Sequence, residues 1–421
     1  MSYLLIKQAH INDNEDLQDI LIYSDEIIDI QPNIEHDDAK VIDAKGNVVL
    51  PTFIECHIHP DKAFLEERKP NVSGTLSEAL KNTAYLKERY TYDDVYERAQ
   101  RVIRWCIKNG TTILRAIPDV DPFEKTLGVE VLVDLREKFK DILDMQICAF
   151  PQEGIVRHPQ VYDYMEQSIK MGADVVGGCP YSEDSYEDTK KHIELVFDLA
   201  QKYDLPIDMH ADFGTDDTDR QNTVAKLIAE ITIERGYQGR VTLGHVTTLG
   251  SLIPTERDET LEKLAEADIT IVPLPATDMF MNGNEAERNV PRGMAPVKEM
   301  IDKGVNVAYA SNNIRNAFTP FGNADMLVVG YLLQVSQQMG SASQRRAVVE
   351  MGTYGPAKAL QIEDTYGLEV GKKADFNIFD AKDISNLIND QPLVQYVIKR
   401  GQVLLSNQLK TEMIELLKED K

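Results

Sequence analysis

The stretch LPTFIECHIHPDKAF, residues 50–64, decides how the rest of the chain is interpreted. It is an apolar run that ends in two histidines, His57 and His59, one residue apart. In an extended strand, residues i and i+2 point to the same side, so the two imidazoles would face one direction. Two such imidazoles form half of a site for a transition metal. By itself the pattern is weak evidence, because His-x-His also occurs on surfaces and in packed interiors.

Further apolar runs follow this one at intervals along the chain. They are rich in Val, Ile and Thr, almost continuously apolar and bounded by Gly, Pro or Asp, which is typical of strands buried on both faces. These runs are TTILRAI (111–117), DMQICAFP (144–151), ADVVGGCP (173–180), LPIDMHAD (205–212), RVTLGHV (240–246), DITIVPLP (268–275) and VNVAYASN (305–312). Together with the run at 47–56 they predict eight strands.

Amphipathic segments separate the apolar runs. In residues 93–110, for example, Val95, Ala99 and Val102 fall on one face of a helix, and Gly110 supplies a stop. Eight strands each followed by a helix predict a (β/α)₈ TIM barrel, of the α/β class, over residues 51–366. An open sheet of six or seven strands is the alternative if one strand is miscounted.

The two ends of the chain differ from its middle. Residues 1–50 and 367–421 show short strand patterns with turns, and neither piece is long enough to bury a sheet alone. We therefore expect both ends to form one small composite β domain beside the barrel.

Composition restricts the classes of partner. The formal charge of −25 argues against binding to nucleic acids or anionic membranes, since both require clustered Lys and Arg. No segment approaches the roughly 18 apolar residues of a membrane span, and the N-terminal apolar run is too short for a signal peptide. A cytoplasmic location is the expectation. The cysteines have no metal-ligand spacing and are expected to be buried, reduced thiols: Cys56, Cys106, Cys148 and Cys179.

The remaining histidines strengthen the interpretation of the first pair. His210 ends the fifth predicted strand and His245 the sixth. Since the carboxyl ends of barrel strands open on one face, these side chains would converge with His57 and His59 at the mouth of the barrel. The other four histidines are expected to be solvated: His10, His36, His158 and His192.

This arrangement resembles the amidohydrolase superfamily, and within it the cytosine deaminase-like branch that includes enzymes of the N-isopropylammelide isopropylaminohydrolase type. The stretches that support the resemblance are FIECHIH, AFPQEGI, GADVVGGCP, RVTLGHVTT, RGMAPVKEMIDKGVNV, FTPFGNADML and GLEVGKKADFNIFD. The resemblance implies that His57, His59 and His210 ligate a metal. It implies that His245 hydrogen-bonds the metal-bound water or the substrate.

The resemblance also implies the walls of a substrate pocket. Gln152 falls where such enzymes recognise an amide edge of the substrate, and Phe318 where an aromatic side chain lines the ring pocket. Family members with two metals use a bridging lysine at the end of strand 4, and the stretch GGCPYSED has none. One divalent ion per chain, zinc or iron, is therefore expected.

The chain departs from the family at two positions. Asn312 lies where the family has an aspartate that ligates the metal and takes the proton of the attacking water. An amide oxygen can still ligate, but it is neutral and no base. Phe213 lies where cytosine deaminase has a glutamate proton shuttle; it can contact a substrate but cannot carry a proton.

Three explanations for these departures remain open at this point. Asp212, or Asp216 and Asp217 after a local shift, could carry protons; His245 could act as the base; or the chain could be a heterocycle-binding pseudoenzyme. Asp61 and Lys62 are a further candidate pair, although a salt-bridged loop explains them as well.

The sequence thus predicts a metal-dependent hydrolase that cleaves a non-peptide C–N bond of a small nitrogen heterocycle, by deamination or dealkylamination. An N-substituted aminotriazine is favoured and a pyrimidine is the other candidate. The predicted partner is this small-molecule substrate, with no nucleic acid and no membrane. A homo-oligomer is compatible with the sequence.

Overall fold

The computed structural model describes residues 2–11, 16–284 and 286–408. Within these residues the strands are β1 (Tyr3–Ile11), β2 (Gln18–Tyr23), β3 (Glu26–Gln31), β4 (Ala39–Asp43), β5 (Val48–Pro51), β6 (Phe53–Ile58), β7 (Thr111–Ala116), β8 (Asp144–Ala149), β9 (Val175–Gly178), β10 (Ile207–Ala211), β11 (Val241–His245), β12 (Thr270–Val272), β13 (Asn306–Val307), β14 (Phe376–Phe379), β15 (Val394–Lys399) and β16 (Gln402–Ser406).

The α-helices of the same residues are α1 (Leu76–Lys87), α2 (Tyr92–Lys108), α3 (Leu127–Phe139), α4 (Gln160–Met171), α5 (Tyr186–Tyr203), α6 (Ala225–Glu234), α7 (Pro254–Glu266), α8 (Pro275–Met281), α9 (Val297–Asp302), α10 (Met326–Ser336), α11 (Ala342–Glu350), α12 (Tyr354–Ala359) and α13 (Leu387–Asp390).

One sheet contains strands from both ends of the chain. Its order is β16-β15-β14-β5-β1-β2-β3, and β4 pairs with β1. The two ends meet where β14 pairs antiparallel with β5, with Phe376 opposite Pro51. Ile6, Ile20 and Phe376 of this sheet belong to one buried hydrophobic cluster. The division of the chain at residues 50 and 367 stays a prediction.

The second sheet is parallel, curled and eight-stranded, and it positions the site. Its strands, β6 to β13, lie side by side in chain order. Backbone hydrogen bonds also join its two ends: the amide of His59 donates to the carbonyl of Asn312 (2.9 Å), and the amide of Asn312 to the carbonyl of His57 (3.0 Å). The carboxyl ends of the strands therefore lie along one rim.

The first apolar run, residues 47–56, differs from the prediction. It holds two strands, because β5 pairs within the first sheet and β6 begins the second. The last run, 305–312, has only two residues in strand conformation. The other runs each contain one strand at the predicted place.

Helix α2 shows why consecutive strands can be parallel. Its apolar face buries Val95, Ala99 and Val102 as predicted, and Thr91 caps its first turn by accepting from the amide of Asp94. Gly110, with φ +85°, ends the connection in a backbone conformation that favours glycine. Such crossovers bring every strand back to the same edge of the sheet.

Two further predictions can be compared with the structure. The four cysteines are free and buried, as predicted. His192, however, is buried rather than solvated: its Nε2 accepts from the amide of Cys179 (2.9 Å) and its Nδ1 donates to Glu183 (2.7 Å). This face of α5 packs inward, so burial lowers the pKa of His192. Among the described helices, none is long and apolar enough to cross a membrane.

Candidate active site

Four histidines meet at the rim of the second sheet. His57 lies in β6, His59 directly follows it, His210 lies in β10 and His245 ends β11; all four are buried. The ring of His210 lies centrally, with its centroid 4.6 Å from that of His57, 5.2 Å from His59 and 4.9 Å from His245. The structure therefore brings together the histidines that the sequence singled out.

Three of these histidines fit a metal ion. Ligand atoms of His57, His59 and His210 all lie within 4.8 Å of one another, and the Nε2 atoms of His57 and His210 are 2.7 Å apart. His59 donates its Nδ1 proton to the carbonyl of Ile117 (2.6 Å), which leaves Nε2 free to ligate. Burial lowers the pKa of His59 and His210 well below the ordinary value. Both are therefore in the neutral form that ligation requires.

Asn312 is the candidate for a fourth ligand. It follows β13 with φ +59°, and its Nδ2 donates to Oγ1 of Thr277 (3.1 Å). Its Oδ1 is buried and has no hydrogen-bond partner among residues 2–11, 16–284 and 286–408. A buried oxygen without a hydrogen-bond partner needs an explanation, and a bound cation that the amide oxygen ligates would provide it. Three imidazoles and one amide oxygen form a donor set that suits a divalent transition metal.

His245 is held by a carboxylate that the sequence analysis missed. Its Nδ1 donates to Oδ1 of Asp278 (2.6 Å), and Oδ2 of Asp278 accepts from the amide of Leu274 (2.8 Å). Since Asp278 takes the Nδ1 proton, Nε2 of His245 is left free beside the cavity. This pairing orients an imidazole for general acid–base chemistry. Asp278 lies 33 residues away in helix α8, so no short motif connects the two.

A cavity of about 310 Å³ lies against this cluster. Its lining includes the predicted substrate residues and several others: His59, Lys62, Leu76, Leu80, Gln152, Glu153, Arg157, Tyr181, Ser182, His210, Phe213, Asn222, His245, Thr277, Asn312, Asn313 and Phe318. The ring of Phe213 lies 4.4 Å, between centroids, from that of His245. The wall thus combines metal-ligating, polar and aromatic groups.

Lys62 has a different partner from the one expected. Instead of pairing with Asp61, its ammonium donates to Oδ1 of Asp119 (2.8 Å) and to Oε1 of Gln152 (3.1 Å). It lies 5.6 Å from the ring centroid of Phe150 and 5.9 Å from that of Phe318. A fixed cation therefore lines the cavity beside the predicted amide-recognition residue.

The structure does not bring Asp212 into the cavity. Its two carboxylate oxygens accept from the backbone amides of Val224 (2.7 Å) and Ala225 (3.0 Å), at the start of α6. Burial raises the pKa of Asp212 to about 6. Asp216 and Asp217 are exposed, and neither lines this cavity. This geometry disfavours the predicted role of Asp212 in proton transfer.

A second group of buried carboxylates lies behind Lys62. Ligand atoms of Asp61, Asp119 and Glu124 lie within 4.8 Å of one another. The ammonium groups of Lys62 and Lys87 both contact Asp119. These cations already compensate charge in the group, so the three histidines are the better candidates for a metal centre.

Comparisons with known proteins show the family of the chain. The model of the amidohydrolase family matches residues 40–405. The chain is 32% identical to N-isopropylammelide isopropyl amidohydrolase of Pseudomonas sp. (strain ADP), over 96% of this chain and 98% of that protein. It is 27% identical to pterin deaminase of Rhizobium rhizogenes, over 86% of this chain and 82% of that protein.

A solved structure is similar over the whole fold. The structure of 5-methylcytosine deaminase from Klebsiella pneumoniae with 5-fluorocytosine superposes with a TM-score of 0.93 and 28% identity, covering 98% of this chain and 100% of that one. The chain therefore belongs to the amidohydrolase family and is an enzyme that acts on carbon–nitrogen bonds other than peptide bonds.

Proposed function

We propose that the chain is a metal-dependent hydrolase that removes an amino or alkylamino group from a small, flat nitrogen heterocycle. The observation that supports this most is the convergence of His57, His59 and His210 beside one cavity. His59, His210 and Asn312 line that cavity, and among the described residues the buried Oδ1 of Asn312 has no hydrogen-bond partner. Its volume of about 310 Å³ is at the small end of the range for ligand pockets, which suits one heterocyclic ring with a short substituent.

Polar groups of the cavity would fix the ring. The ammonium of Lys62 holds Oε1 of Gln152, so the amide nitrogen of Gln152 stays available as a donor. Lys62 and Gln152 together suit an edge of the heterocycle that presents carbonyl oxygens or ring nitrogens. Phe213 and Phe318 offer aromatic surfaces for the flat face.

His245 would act first as the general base and then as the general acid of the reaction. When bound, a divalent ion in such a centre lowers the pKa of water so that hydroxide forms near neutral pH. Nε2 of His245 would take a proton from the attacking water and return it to the departing amine. The contact of Nδ1 with Asp278, on the opposite edge of the ring, supports this role. Such acid–base catalysis contributes about 10²–10⁴-fold.

The similar proteins support the choice of substrate class. Their names refer to N-isopropylammelide, pterin and 5-methylcytosine, which are all flat nitrogen heterocycles. We favour an N-substituted aminotriazine, with a pyrimidine as the second candidate, and one zinc or iron ion per chain. The pseudoenzyme interpretation relied on Asn312 and Phe213. His245 was already a candidate base, and the contact with Asp278 adds a carboxylate that orients its ring.

The architecture that we propose with this function is a closed (β/α)₈ barrel over residues 51–366, with residues 1–50 and 367–421 in the small β domain. Residues 1, 12–15, 285 and 409–421 of these ranges lie outside the described residues. The backbone hydrogen bonds between His59 and Asn312 and between Asn312 and His57 support closure between β6 and β13.

The experiment is a screen for amine release. The purified chain is loaded with Zn²⁺ or Fe²⁺ and incubated with cytosine, isocytosine and N-alkyl ammelides, with metal-loaded His57→Ala as the control. We expect release of ammonia or alkylamine from at least one compound by the wild type and none by the control. Tight binding of these compounds without release from any of them would contradict the proposal.

A further inference from the structure

An arginine is completely buried close to the candidate metal centre. The side chain of Arg115, on β7, makes five hydrogen bonds: to Asp208 (2.9 Å), to Thr242 (3.2 Å), twice to Gln146 (3.1 and 3.0 Å) and to the carbonyl of Ala359 (2.7 Å). These bonds use all five of its N–H donors. The guanidinium is therefore fixed in position and orientation.

Asp208 connects this arginine to the metal centre. Arg115 takes its Oδ2, whereas its Oδ1 lies 3.4 Å from Nδ1 of His57. Both atoms are buried, and neither has another hydrogen-bond partner in the part of the chain that the structure describes. Buried polar atoms without other partners are best explained as partners of each other. Asp208 also lies two residues before His210 on β10, so both side chains point to the same side of the strand.

The contact determines which nitrogen of His57 faces the metal. A carboxylate only accepts hydrogen bonds, so His57 must hold its proton on Nδ1 to pair with Asp208. Its Nε2 then presents a lone pair on the side where Nε2 of His210 lies 2.7 Å away. With the opposite tautomer, Nε2 would present a proton and could not ligate.

We propose that Arg115 and Asp208 are positioning residues that fix the tautomer and orientation of His57 for metal binding. This inference rests on the proposed metal centre. Stability alone is a weak reason for a buried ion pair, because its desolvation cost largely cancels its attraction. Because the candidate ligands His57, His59, His210 and Asn312 are all neutral, an anion that acts through His57 also makes its imidazole a stronger donor.

The test measures metal affinity rather than turnover. Asp208→Asn keeps the side-chain shape, and its Zn²⁺ affinity is measured by competition with a chelator, together with the absorption spectrum of the Co²⁺ form. We expect Zn²⁺ binding about 10–100-fold weaker than in the wild type and an altered Co²⁺ spectrum. Gln146→Ala is the matched control: it removes two hydrogen bonds of Arg115 without touching Asp208. We expect its affinity to change by less than about threefold.

The proposal would be overturned if the Asp208→Asn variant bound Zn²⁺ as tightly as the wild type. It would also be overturned if Asp208→Asn and Gln146→Ala lost Zn²⁺ affinity equally. If Asp208→Asn fails to fold, ¹⁵N NMR of the histidine rings in the Zn²⁺-loaded wild type decides: a proton on Nδ1 of His57 supports the proposal and one on Nε2 refutes it. Loss of affinity in Asp208→Asn without turnover in the wild type would leave this inference standing and refute the proposed function. A wild type that binds no Zn²⁺ would refute both.

Discussion

Replacing Asn312 by aspartate is expected to tighten metal binding by about 30-fold, or about 2 kcal/mol, because it adds an anionic ligand to a neutral donor set. A unit negative charge and a divalent cation about 4 Å apart attract by about 8 kcal/mol at an effective dielectric constant of 20, and the cost of burying the carboxylate offsets most of this. Asn312 is 2% exposed, so solvent screens the new charge little. In the metal-free protein the same change should destabilise the fold by about 2 kcal/mol, because it removes the donor to Thr277 and buries an unpaired charge.

The assay is Zn²⁺ affinity by chelator competition, together with urea unfolding of the metal-free and metal-loaded forms. Asn313→Asp is the matched control, because Asn313 lines the same cavity and is also buried. Its Oδ1 already accepts from Asn316 (2.6 Å), so we expect a smaller gain in metal affinity. Equal gains in both variants, or no gain in Asn312→Asp, would refute the placement of Asn312 as a ligand.

Three other substitutions test separate parts of the account. Asp278→Asn should lower kcat for amine release about 10²-fold without changing metal content, because His245 loses its orienting carboxylate; an unchanged kcat would contradict the role of this pair. Phe213→Glu should raise kcat, by up to about 10²-fold, by adding a proton carrier, whereas Phe318→Glu on the same cavity should not; a slower Phe213→Glu enzyme would show that the chain has its own shuttle. His192 has a lowered pKa, so the free energy of unfolding of the metal-free protein should fall as the pH drops below about 6.5; His192→Gln should flatten this dependence in urea unfolding, and an identical slope would refute the assignment.

The strands of the second sheet could be located from sequence because each is a short apolar run between Gly, Pro or Asp. The sheet to which each run belongs could not be predicted from sequence. Residues 48–51 are as apolar as residues 53–58, yet they pair with β14 from the other end of the chain. An apolar pattern reports burial but not the pairing partner, so the run at 47–56 predicts one strand where the structure has two.

The histidine cluster was predictable because the carboxyl ends of parallel strands share one rim. The groups that orient these histidines could not be predicted, because the interacting residues are far apart in sequence. Asp278 lies 33 residues from His245, and Arg115 lies 93 residues from Asp208. One signal was present. An arginine inside the apolar run TTILRAI and an aspartate inside LPIDMHAD each require a buried partner.

Lys62 and His192 show a second limit of sequence reasoning. Lys62 follows Asp61 directly, but adjacent side chains need not meet, and Lys62 instead contacts Asp119, 57 residues away. His192 was expected to be solvated, although Ile193 and Val196 share its buried face of α5. The helical spacing of these residues was the signal that placed His192 inside.

The most direct measurement of the central claim is anomalous X-ray diffraction from crystals of the Zn²⁺-loaded chain at the zinc absorption edge. We expect one peak per chain, about 2.0–2.1 Å from a ring nitrogen of each of His57, His59 and His210. A second peak among Asp61, Asp119 and Glu124, or the absence of a peak at the histidines, would contradict it.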